Sequence, residues 1–155
     1  MKRAIYFPMI CLIGLIAFSG CGRSDEHMNK VIKVGSEIAE LQQQYYPAIT
    51  ELGRLAVQIE EVAKRQDALA KAAATDVAKV QELITAAFAA GQKAVDSAVV
   101  GNNQHLDGAR YIIAQEASRD RLKVALEKTK LAVSKSHNVL DALDTKKSIK
   151  GVGKK

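Results

Sequence analysis

The chain has 155 residues, and 23 Lys and Arg against 17 Asp and Glu give it a formal charge of +6. Hydrophobic residues make up 48%, yet aromatics are only 5%, Trp is absent and Pro occurs twice, which excludes an all-β or collagen-like chain and leaves an α-rich protein with a thin, Ala-filled core. Two Cys cannot build a disulfide framework, and no Cys/His cluster has zinc-ligand spacing.

Residues 1–21 have the layout of a secretory signal. Lys2 and Arg3 form a basic start, and Ala4 to Phe18 is an uncharged, mostly apolar run of fifteen. A helix crossing a bilayer core needs about 20 apolar residues, so an uncleaved anchor is the weaker reading. The segment ends Phe18-Ser19-Gly20-Cys21. This resembles the lipobox of bacterial lipoprotein precursors, with Phe18 standing where Leu is usual. The resemblance implies cleavage after residue 20 and a lipidated Cys21 as the first mature residue. Cys11 leaves with the signal, so the mature chain then has no free thiol. Gly22 rather than Asp follows the Cys, which for this family implies sorting to the outer membrane of a double-membrane bacterium, facing the periplasm. Acyl chains at about 0.8 kcal/mol per buried methylene hold such a protein durably. Residues 21–27 are then the lipidated Cys and a polar tether.

A helical domain is expected over 28–145. Counting alternately by three and four from Val31 to Ala98 meets apolar residues at sixteen of twenty positions, the signature of long helices with coiled-coil packing. Leu55, Val62, Leu69 and Leu83 widen the seam on one flank and Phe88 and Val95 on the other, which favours three or more helices over a two-stranded seam. The fold class is therefore all-α: an elongated antiparallel helical hairpin or a three-helix bundle. Pro47 is expected to kink the helix or restart it. The stretch 72–76 is a second candidate corner, with Thr75 or Asp76 as N-cap; the unbroken repeat argues against a break there, and both readings stand, one rod over 48–99 being about 78 Å long.

A turn is expected near 101–107, where Gly101-Asn102-Asn103 tolerate left-handed geometry and Asp107-Gly108 mark the entry to the last helix. In that helix Leu122, Leu126, Thr129, Val133, Ser136, Leu140 and Leu143 again alternate by four and three. Between Ile113 and Leu122 the phase slips and Arg119 falls on the seam, so a stutter or local unwinding is expected there.

No enzymatic constellation is visible, and no catalytic residue, cofactor or metal is expected. His27, His105 and His137 lack a second ligand at helical spacing, and Glu60-Glu61 and the Asp141/Asp144 pair fall on polar helix faces. Gln42 and Gln66 on the seam either specify register or mark a wet stretch; Gly35 and Gly91 either permit close helix approach or are simply tolerated. Tyr46, off the seam beside Pro47, is a candidate partner contact, with packing against a neighbouring helix as the alternative.

Lys146, Lys147, Lys150, Lys154 and Lys155 lie in the last ten residues with no acid among them. With Gly151 and Gly153 present, 146–155 is expected to be a disordered basic tail drawn to anionic lipid, lipopolysaccharide or peptidoglycan. Residues 22–145 hold 16 basic and 17 acidic residues, a net −1, so the basic excess belongs to the two ends and nucleic acid is not an expected partner. The expected function is a non-enzymatic, lipid-anchored envelope component with a protein partner or self-association. Its acylated Cys and terminal Lys155 resemble Braun-type murein lipoproteins, which implies a peptidoglycan tether; the greater length, the turn and the missing Tyr-Arg before the final Lys depart from that family. An exclusion lipoprotein of a mobile element is the alternative of another class.

Overall fold

The computed structural model describes residues 25–103, 106 and 108–152, with side-chain burial for those among residues 25–99, 106 and 108–144. The chain forms three helices, α1 (Asp25–Lys64), α2 (Ala68–Asn103) and α3 (Gly108–Val152), with no strand among the described residues. They pack as an all-α bundle in which α3 contacts both other helices extensively, whereas α1 and α2 touch each other much less.

The first break falls at none of the expected corners. α1 stops at Lys64, whose positive charge suits a helix C-terminus, and Arg65 N–H donates to the Val62 carbonyl at 3.1 Å. Asp67 then caps α2. Its Oδ1 accepts from the backbone N–H groups of Leu69 and Ala70, both at 3.0 Å, and its carbonyl accepts from Lys71 at 3.1 Å. Thr75 and Asp76 lie inside α2, and the single rod over 48–99 is two antiparallel helices. Gln66, the polar seam position, sits in the exposed corner itself.

Pro47 interrupts nothing: α1 is helical on both sides of it. Proline at 47 removes the N–H that would bond the Gln43 carbonyl, and both residues are exposed, so water can take that carbonyl. Buried Tyr45 and Leu52 on either side hold the helix to the core. Nor does α3 unwind between Ile113 and Leu122. Ser118 takes the buried position, and Arg119, one residue on, swings to the flank facing α1.

The second link also sits later than Gly101-Asn102-Asn103, which end α2 in helical geometry; the connection falls between Asn103 and Gly108. α3 then continues through Val152, so the backbone at Lys146, Lys147 and Lys150 is helical where a disordered tail is expected. Lysine is a good helix former, no glycine occurs between Gly108 and Gly151, and cations suit a helix C-terminus. Lys154 and Lys155 lie outside the described residues.

Two apolar clusters fill the bundle. Leu52, Ile59 and Val62 of α1 meet Val77, Val80, Ile84 and Ala87 of α2 and Ala132 and Leu143 of α3. Further along, Tyr45 meets Ala90 and Ala94 of α2 and Leu122, Ala125 and Leu126 of α3. These sets make α1 and α3 parallel, with α2 antiparallel to both. Alanine recurs at the contacts, so the backbones approach closely, and the large side chains at Leu52, Leu55 and Ile59 are fully buried, each contributing about 1.5–3 kcal/mol.

Candidate functional site

Consecutive residues on a helix are about 100° apart, and at the middle of α1 this separates two tyrosines. Tyr45 points into the core and Tyr46 points out, 51% exposed, with their rings tilted at 6.4 Å between centroids. Thr50 Oγ1 donates to the Tyr46 carbonyl at 2.8 Å beside Pro47. The Tyr45 hydroxyl lies against Gly91 of α2, where a β-carbon would overlap it. Burial pushes the Tyr45 phenol above its ordinary pKa, outweighing the nearby Thr129 hydroxyl, which acts in the opposite direction. The two hydroxyls are not in hydrogen-bond geometry. Thr129 Oγ1 is fully buried with no partner among the described residues, whereas buried Ser136 donates to the Ala132 carbonyl at 2.8 Å.

A polar ladder runs down the α1/α3 flank. Arg119 donates to Glu37 at 2.9 Å, Lys130 to Gln44 at 3.0 Å, and His137 Nε2 lies 3.2 Å from Glu51 Oε1. On α1 the rungs advance by seven residues each; on α3 the first step, from Arg119 to Lys130, takes eleven. Four extra residues make a stutter, so the expected phase slip is present as a change of register in an unbroken helix. Arg119 also holds Asp120 at 2.8 Å, and hydrogen bonds to Asp120 and Glu37 raise its guanidinium above the usual value. Glu51 is held below the carboxylate range, first by its hydrogen bond to Arg54 and further by His137. The Lys130–Gln44 bond is exposed and Arg119–Glu37 only partly buried, so each rung adds little to stability.

The opposite side of α3 forms a shallow groove with α2, lined by Asp76, Lys79, Leu83, Lys135, Val139 and Leu143. Among the described residues no group of His, Cys, Asp or Glu is placed to hold a metal ion, and no helix is long and apolar enough to cross a membrane.

Of the residues singled out in the sequence, the structure places Tyr46 on an open helix face. It puts the backbone of Lys146, Lys147 and Lys150 on the last turns of α3, far along the chain from Tyr46 of α1. Cys21, Lys154 and Lys155 lie outside the described residues. The Tyr45–Gly91 contact, the Thr129 hydroxyl and the α1/α3 rungs have no signal in spacing alone, whereas Asp67 ahead of an apolar run is an N-cap signal that the continuous repeat masks. Compared with protein-family models, curated proteins and solved structures, the chain matches none.

Proposed function

We propose that the protein is a lipid-anchored, non-enzymatic component of the bacterial cell envelope, held by acylated Cys21 at the periplasmic face of the outer membrane, where its helical body acts as a structural or interaction element. One observation carries this reading: Phe18-Ser19-Gly20-Cys21 closing a segment with a basic start and an uncharged run. The bundle supports it in kind, because its long helix faces carry exposed Ile32, Tyr46, Val57 and Val124, suited to contact with other protein. The five lysines at the end of the chain add attraction to anionic envelope surfaces that weakens with salt. The test is Cys21→Ser in the full-length chain, followed by labelling with a fatty-acid analogue and membrane fractionation. Loss of label and release from the outer membrane are expected; a variant that still fractionates with it overturns the reading.

A further inference from the structure

α1 carries a second helical stripe besides its buried seam. Counting by threes and fours from Met28 to Val57 meets no charged residue, and Ile32, Gly35, Tyr46 and Gly53 lie on this line. Ile32, Tyr46 and Val57 are about half exposed, at 52%, 51% and 57%. α2 carries a matching line: Gln81, Thr85, Phe88, Gln92, Val95 and Val99, again without a charge. Both lines border the α1/α2 seam on the side away from α3. On α1, the flank towards α3 is marked by Glu37, Gln44 and Glu51, which hold α3 partners; on α2, it is marked by Asp76, Lys79 and Leu83 of the groove. The two charge-free lines therefore form one face, at the seam where the helices pack most loosely.

The glycines on this face have no explanation inside the protomer. Glycine within a helix is unfavourable relative to alanine, and Gly91 has its reason in the Tyr45 hydroxyl. At Gly35 and Gly53 a β-carbon would meet nothing within 4 Å. Small residues on an open, uncharged face let another backbone approach closely.

We infer that this face pairs with the same face of a second copy of the chain. The α1 line from Met28 to Val57 spans about 44 Å and the α2 line from Gln81 to Val99 about 27 Å, and where both run side by side, 8–10 Å apart, the strip is about 18 Å wide. The footprint is about 640 Å², at the lower end of what each partner contributes to a standard-size interface. A two-fold pairing sets the patch against itself, and its two uncharged lines meet no like-charge repulsion when it does so, with Asp96, held by Gln92 at 2.8 Å, at its rim. Uncharged lines on both helices make the face self-complementary, whereas the other faces carry mixed charge.

The inference names the partner left open in the proposed function and rests on that reading only in treating the helical body as an interaction element. Anchoring is read by fractionation and pairing by cross-linking, so each can fail alone. The experiment places a photo-cross-linking amino acid at Tyr46 of the full-length protein in its own membranes, with Val124 on the outer face of α3 as control. An adduct of the chain with itself is expected from position 46 and not from 124. Gly53→Glu and Gly35→Glu put charge on the face where the protomer has room, so helix content by circular dichroism is unchanged while the adduct falls about tenfold. No self-adduct at 46, an adduct only to another protein, equal yield from 124, or full yield in both glutamate variants overturns the pairing.

Discussion

The Tyr45 hydroxyl of α1 rests on the backbone of Gly91 in α2, in space that a β-carbon would occupy. Around it stand Ala90, Ala94, Leu122, Ala125 and Leu126, so this one contact spaces all three helices at the middle of the bundle. Gly91→Ala improves helix propensity by about 1 kcal/mol, but the overlap forces a shift in a packed layer, costing about 1–3 kcal/mol. A net loss of stability in chemical denaturation is expected. Tyr45→Phe removes the overlapping atom and should restore most of that loss in the double variant; additive effects would place the conflict elsewhere.

The same phenol gives an alkaline limit. Burial raises its pKa, so the folded state favours the neutral form; the stability is fully present below the ordinary tyrosine value and is lost as pH rises through the raised one. Thermal melts should fall above about pH 10, and Tyr45→Phe should flatten that limb relative to wild type.

Thr129 is buried with an unpartnered hydroxyl, which costs more than an apolar group of the same shape. Thr129→Val should therefore stabilise the bundle by about 1 kcal/mol, read as a higher denaturation midpoint with unchanged slope. A destabilised variant would show that the hydroxyl is satisfied in solution.

Asp67, like Glu51, contributes to the acid side. Its carboxylate is held low, first by the Ala70 N–H and then by Arg65, with Leu69 a smaller influence. A depressed carboxyl contributes stability above the ordinary Asp range and loses it as pH falls through the folded value. Asp67→Asn keeps a capping acceptor but not the charge, so it should shallow the acid limb while leaving a helical corner; Asp67→Ala should lower the melting temperature at neutral pH as well.

How much of this is legible in the sequence differs from element to element. The all-α class and the seam through Leu52, Ile59, Val77 and Ile84 follow from period alone, because burial on one helix face imposes it, and all four are buried. The corner at 65–67 is hidden because Ala63, Gln66 and Ala70 keep the count while the chain reverses; only Asp67 and the polarity of Gln66 mark it. Pro47 misleads because its cost depends on whether the freed carbonyl meets water, which spacing does not record. Tyr46 is legible as an outward residue from its offset to the seam. The partnership of Tyr45 with Gly91 is not, since the repeat says which residues are buried and not which helix they face.

Gly35 and Gly53 separate the protomer from the pair. With nothing within 4 Å of either site, Ala at each position gains helix propensity at no steric cost, about 1 kcal/mol per site in a dilute, unpaired protein. That sign is opposite to the one expected at Gly91, although all three lie within helices, and the difference tests whether the neighbours alone decide the outcome. In the paired state the added methyl groups stand between two close backbones, so the same alanines should weaken association. Melting temperature measured against protein concentration distinguishes the two effects. Gly53→Ala should exceed wild type at low concentration, and its advantage should shrink or reverse as concentration rises, because pairing stabilises the wild type by mass action. An advantage constant at all concentrations would mean that no second backbone approaches Gly53.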